Sequence, residues 1–206
     1  MIRAAAAALA LGLLAQPAAA LDYTVRQEGR GSVVIAQGAI EAGDAAKLRA
    51  LVARTRGVDE VWFNSPGGNA VEGLVIGRAI RDLGLATRIP NGAMCASACS
   101  YAFLGGPIRA VDNGGRYGVH MFTAARDDAF IRDVARVVRQ NGPQGAAEVV
   151  MFIEQRSAKL AAERARFLVE QRVSLELMTP AFNQDADGMN WLNAQELRRY
   201  NVVNTH

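Results

Sequence analysis

Histidine, cysteine and lysine are each nearly missing from this chain, and the shortages decide much about its chemistry. The histidines are His120 and His206, and His206 is the last residue, where order is rare. A metal centre built on His and Cys clusters is not expected, and no cofactor is called for. The two cysteines, Cys95 and Cys99, have a Cys-x-x-x-Cys spacing, which argues against a thioredoxin-type redox motif. A catalytic lysine has two candidates, Lys47 and Lys159. The formal net charge is only +3, with no cluster of Lys or Arg, so the footprint of a nucleic-acid binder is missing. No apolar run reaches the roughly 20 residues of a membrane span. Neither an internal repeat nor a low-complexity linker divides the chain, which reads as one domain after its leader.

The leader is read from the first twenty residues. Arg3 supplies a basic start, Ala4 to Ala15 an apolar run, Gln16-Pro17 a break, and Ala18-Ala19-Ala20 small residues for a signal peptidase. The alternative is an uncleaved N-terminal anchor. No twin-Arg pair precedes the run, which favours the general secretory route, and no cysteine near the cleavage site invites a lipid. The expectation is a periplasmic or secreted domain of residues 21–206, without stable membrane insertion once the leader is cleaved.

Periodicity then places the elements. Buried strands are expected at 32–36, 58–64 and 85–89, and a strand carrying His120 at 116–122. Helices are expected at 45–54, at 70–83 with Gly84 as its C-terminal cap, and from Ser97 to Leu104. Further helices are expected around 130–141, stopped by Gly142-Pro143, and at 148–173 and 193–200. A short strand is expected at 201–203. Strands alternating with helices imply an α/β fold with a mostly parallel sheet flanked by helices.

Two motifs fall at strand ends, where α/β proteins place their sites. Asn64-Ser65-Pro66-Gly67-Gly68-Asn69 runs from a strand through a Gly-Gly turn into a helix. Glycines there can take positive φ and turn N–H groups toward an anion; an ordinary βα turn uses the same residues. In Cys95-Ala96-Ser97-Ala98-Cys99, Ser97 stands at a helix start, either as a plain cap or as a nucleophile. A nucleophile needs a base, and His120 is the one ordered imidazole on offer. A lone histidine in an apolar strand is, equally, an ordinary core residue.

Together, Asn64-Ser65-Pro66-Gly67-Gly68, Ala96-Ser97-Ala98, Gly118-Val119-His120 and the tail from Ala194 to Val203 resemble the Clp protease/crotonase superfamily, specifically the Clp protease proteolytic subunit and its exported relatives. The likeness covers about residues 33–122 in register and 189–204 more loosely. It implies repeated ββα units, Ser97 as nucleophile, His120 as general base, and the N–H groups of Gly68 and Ala98 as oxyanion hole.

The chain departs from the family in several places. Cys95 and Cys99 bracket the serine. Met189 stands where the family has its catalytic Asp, so Asp187, rather than Asp185, is expected to take that part, with Asn190 or a bare Ser-His dyad as alternatives. The stretch from Arg126 to Gln144 has none of the family's Gly-rich substrate segment, and the chaperone-contacting N-terminal loops look absent. ATP-dependent proteolysis is not implied.

In an oxidising compartment Cys95 and Cys99 are expected to form a disulfide, at i, i+4 on a helix; the alternative is two small buried thiols. A Ser-Lys pair through Lys159, as in relatives resembling signal peptide peptidase A, competes with a solvated-face reading of that charged helix.

The expected function is an ATP-independent periplasmic serine peptidase or related acyl hydrolase acting on a peptide or protein, with self-association into a homo-oligomer left open. The alternative is a catalytically inactive peptide- or partner-binding domain. Export away from the CoA pool counts against an acyl-CoA-handling enzyme.

Overall fold

The computed structural model describes residues 20–29, 31–125 and 127–205. The leader of residues 1–20 (save Ala20), Arg126 and His206 lie outside them. The chain is α/β, with two mixed sheets and helices packed around them.

The larger sheet has the order β1-β2-β3-β4-β6. Strands β2 (Gly31–Gln37), β3 (Val58–Asn64), β4 (Ala86–Ile89) and β6 (Arg109–Val111) run parallel to their neighbours. Strand β1 (Asp22–Glu28) joins β2 antiparallel, at the edge. Val33, Val34 and Ala36 of β2 and Val61 and Phe63 of β3 are buried in the core, and a side chain the size of Phe63 contributes about 2–3 kcal/mol on burial.

The smaller sheet has the order β5-β7-β8. Strand β5 (Met94–Ala96) pairs in parallel with β7 (Arg116–Val119), which pairs antiparallel with β8 (Asn190–Trp191). A bridge between Ser65 and Cys95 stitches the end of β3 to β5.

Helices α1 (Asp44–Arg54) and α2 (Ala70–Leu83) lie where the periodicity puts them. Asn69 caps α2 by accepting from the N–H groups of Val71 and Glu72, and Gly84 ends it at φ 68°. Helix α3 (Ala98–Leu104) is buried along its whole length. Gly73 and Gly77 let α2 approach it: a Cβ on Gly73 would strike the carbonyl of Ala98, and one on Gly77 the carbonyl of Tyr101.

Helix α4 (Asp128–Glu170) is broken at Gly142, where φ is 56° and ψ −137°, with Pro143 following. The expected stop at Gly142-Pro143 is thus a sharp break between two arms. Leu160, Arg164, Phe167 and Leu168 recur at helical spacing on the second arm, and Phe167 packs on Gly77 and on the ring of Tyr101. Two short helical turns, Leu175–Leu177 and α5 (Met178–Phe182), lead to the loop before β8, and α6 (Ala194–Arg199) follows with an Asn193–Glu196 capping box.

Three expectations change. Residues 201–203 are not a strand. Asn201 has φ 56°, and buried Arg109 holds the tail by donating to the carbonyls of Val202 (2.9 Å), Asn201 (2.9 Å) and Gly106 (2.8 Å). The segment before Ser97 contains a strand, β5. The strand before His120 ends at Val119, which leaves His120 just past it. Among the described residues no helix is long and apolar enough to cross a membrane, and no group of three or more His, Cys, Asp or Glu could hold a metal ion.

Candidate active site

The site forms where β3, β5 and β7 end together. Backbone bonds lace these ends: Ser65 N–H to Met94 O (2.8 Å), Ala96 N–H to Ser65 O (3.1 Å) and Ser97 N–H to Gly118 O (3.1 Å). Ser97 therefore stands between the last residue of a strand and the first of a helix. Its backbone lies at φ 55°, ψ −122°, a conformation side-chain-bearing residues rarely adopt and one that costs about 1–3 kcal/mol. A strained strand-to-helix turn of this kind lifts a serine hydroxyl clear of its neighbours.

The turn also explains the disulfide. Cys95 is on β5 and Cys99 on α3, with Cα atoms 5.2 Å apart, and their sulfurs are bonded. The pairing is the expected one, but the sharp reversal at Ser97, not a regular helix, brings the two residues together. Both cysteines are buried.

His120 Nε2 lies 2.7 Å from Ser97 Oγ, and Nδ1 lies 3.1 Å from the carbonyl oxygen of Ala186. A carbonyl can only accept, so Nδ1 carries the proton, and the neutral ring presents its lone pair at Nε2. The Ser97 hydroxyl then donates to Nε2.

The Gly-Gly turn packs directly on this pair. Gly67 has φ 97°, and a Cβ there would come within 2.5 Å of Ala96 O, 2.7 Å of Ser97 Cβ and 2.9 Å of Ala98 N. A Cβ on Gly68, at φ 139°, would strike the backbone of Ile40. Ile40 pairs with this turn, its N–H donating to Gly67 O (2.7 Å) and its carbonyl accepting from Asn69 N–H (2.9 Å). Among the described residues, no acceptor takes the N–H of Gly68 or of Ala98.

A cavity of about 420 Å³ opens at the pair, its wall including Gly68, Ser97, His120, Phe122, Arg164 and Asp187. Asp187 thus shares the cavity with His120, and Asp185 does not line it. Met189, where the family's acid would fall, also lines the cavity, and its side chain packs on Gly118. Asn190 is turned elsewhere, its amide donating to Pro180 O at 3.4 Å. Lys159 lines an adjoining cleft of about 660 Å³ with Arg156, Phe130 and Glu163, not the cavity at Ser97.

Arg164, expected from the sequence among the charges of a solvated helix face, is instead a buried wall residue of this cavity. Only 4 % of it is exposed, and among the described residues its Nε has no hydrogen-bond partner. The signal was available: an arginine on the stripe of Leu160, Phe167 and Leu168, the face that meets the core.

Compared with protein-family models and with curated protein sequences, the chain matches none.

Proposed function

We propose that this protein is a serine-type peptidase or related acyl hydrolase, exported and independent of ATP, of the Clp protease/crotonase kind. The observation that carries the reading is the 2.7 Å approach of His120 Nε2 to Ser97 Oγ at a strained strand-to-helix turn that opens on a cavity. In support of the family, β4-β5-α3 and β6-β7-α4 follow one another as ββα units, the first strand of each in the larger sheet and the second in the smaller. The leader composition and the Cys95–Cys99 bond support export to an oxidising compartment.

In the reaction, Ser97 Oγ attacks the substrate carbonyl as its proton passes to His120 Nε2. The carbonyl oxygen becomes an oxyanion and takes the N–H groups of Gly68 and Ala98. Collapse expels the amine or alcohol, which takes the proton from His120, and leaves an ester on Ser97. Water then attacks that ester, giving its proton to Nε2, and Ser97 recovers it as the acid leaves. The Ala186 carbonyl holds the tautomer throughout, and Asp187, on the same cavity wall, favours the imidazolium that forms in each half.

The test is hydrolysis of a mixed peptide library followed by mass spectrometry. Wild type should cleave, and Ser97→Ala and His120→Ala should each lose about 10⁴-fold or more in kcat. Equal cleavage by all three would end the reading, and binding of peptides without cleavage would favour the silent binding domain.

A further inference from the structure

Arg164 poses a question that hydrolysis as such leaves open. It projects from the second arm of α4 onto the stripe that packs against the core, and only 4 % of it is exposed. Buried arginines are usually paired with a carboxylate or saturated with carbonyls, because an unpaired charge out of water is costly. Arg109 follows that rule, donating to three backbone carbonyls. Arg164 breaks it. Among the described residues its Nε donates to nothing and no ion pair includes it. What it has is two rings: its guanidinium carbon lies 4.9 Å from the centroid of Tyr101 and 5.9 Å from that of Phe122. Rings compensate a cation only in part. They hold its plane while leaving the N–H fork free at its edge. The side chain forms part of the wall of the cavity that contains Ser97 and His120.

We propose that Arg164 recognises a carboxylate on the substrate, so that the favoured acyl substrate carries a carboxylate close to the scissile carbonyl. This rests on the hydrolase reading for the word substrate; the carboxylate site itself does not. A guanidinium fork matches a carboxylate with two parallel hydrogen bonds, and a guanidinium already stripped of most of its water makes them strongly. Two sources have this chemistry: the free C-terminus of a peptide, with cleavage one or two residues from the end, or an internal Asp or Glu side chain. Among the described residues, Asp187 is the other charged side chain on the wall.

The test uses the full exported chain in two arms. In the first, binding to Ser97→Ala is measured by calorimetry for four N-acetylated peptides: free C-terminus, C-terminal amide, internal Glu and internal Gln. The peptide with the matching carboxylate should bind about tenfold to a hundredfold more tightly than its amide counterpart. That preference should vanish in the double variant Ser97→Ala/Arg164→Met and survive in part with Arg164→Lys. Whichever pair discriminates, the C-terminal or the side-chain one, names the source. In the second arm, kcat/KM of the Ser97-containing chain should show the same preference, lost in Arg164→Met by a fall on the carboxylate substrate alone. Wild-type protein serves if Arg164→Met does not fold, because a carboxylate and its amide must still be told apart. Equal affinity for carboxylate and amide in both pairs would overturn the inference even if hydrolysis were brisk. Discrimination without hydrolysis would uphold the site and reject the hydrolase.

Discussion

At the scale of single residues, the site depends on a few atoms that cannot be moved. Gly67 is one: a methyl group there would press on Ala96, Ser97 and Ala98 at 2.5–2.9 Å, at a φ of 97° that side-chain-bearing residues avoid. Gly67→Ala should cost about 1–3 kcal/mol in stability and at least tenfold in kcat, read by urea unfolding and peptide hydrolysis; unchanged activity would mean that the turn does not shape the oxyanion site. Asp187 is the subtler case. The tautomer of His120 is held by the Ala186 carbonyl at 3.1 Å, which Asp187→Asn leaves in place. That variant should lower kcat by about 10- to 100-fold through weaker stabilisation of the imidazolium that forms in each half of the reaction. A loss as large as that of Ser97→Ala would make Asp187 indispensable in its own right. The glycine turn was legible because it ends an apolar strand, Ser97 because it opens a helix amid small residues, and His120 because it is the one imidazole away from the terminus. The Ala186 carbonyl was not, since a backbone acceptor can be any residue. Arg164 was legible only as a break in a helical stripe, and the charges around it masked the break.

Among the elements, β5 and α3 carry the site between them. The sequence from Ala93 to Leu104 reads as one small-residue stretch. Its first part is a three-residue strand, too short for a period of two to register. Strand β1 was hidden for a different reason: it is an edge strand whose residues are mostly exposed, so it lacks the apolar signature of β2 and β3. By contrast, α2 was read closely because the Gly-Gly turn opens it and Gly84 closes it. The Cys95–Cys99 bond closes a short loop around Ser97, and by loop-closure entropy it stabilises the fold by about 2 kcal/mol. Cys95→Ala/Cys99→Ala should lower stability by that amount and weaken hydrolysis, with the serine turn less firmly held. Alkylation of unreduced protein followed by mass measurement should find neither thiol modified; two modified thiols would show that the bond is not formed.

For the molecule as a whole, the C-terminal tail is tied back to β6 by Arg109, which reaches Val202, Asn201 and Gly106. Arg109→Met would leave those carbonyls without donors and should cost about 3 kcal/mol, read as a lower urea midpoint. Burial pulls the pKa of Arg109 down to about 10. Folded and unfolded chains therefore differ in proton binding through this group only above that pH, where stability rises with pH; in the neutral range the tie is insensitive to pH. The fold and the site meet in one claim, that β5, the strained turn and α3 exist to aim Ser97 at a carbonyl with His120 behind it. A fluorophosphonate probe tests this most directly, because it bonds only to a serine whose hydroxyl is activated and whose oxyanion is held. Intact-mass and peptide mapping should place one adduct on Ser97 of the wild type and none on His120→Ala. No adduct on folded wild type, or an adduct on a different serine, would contradict it.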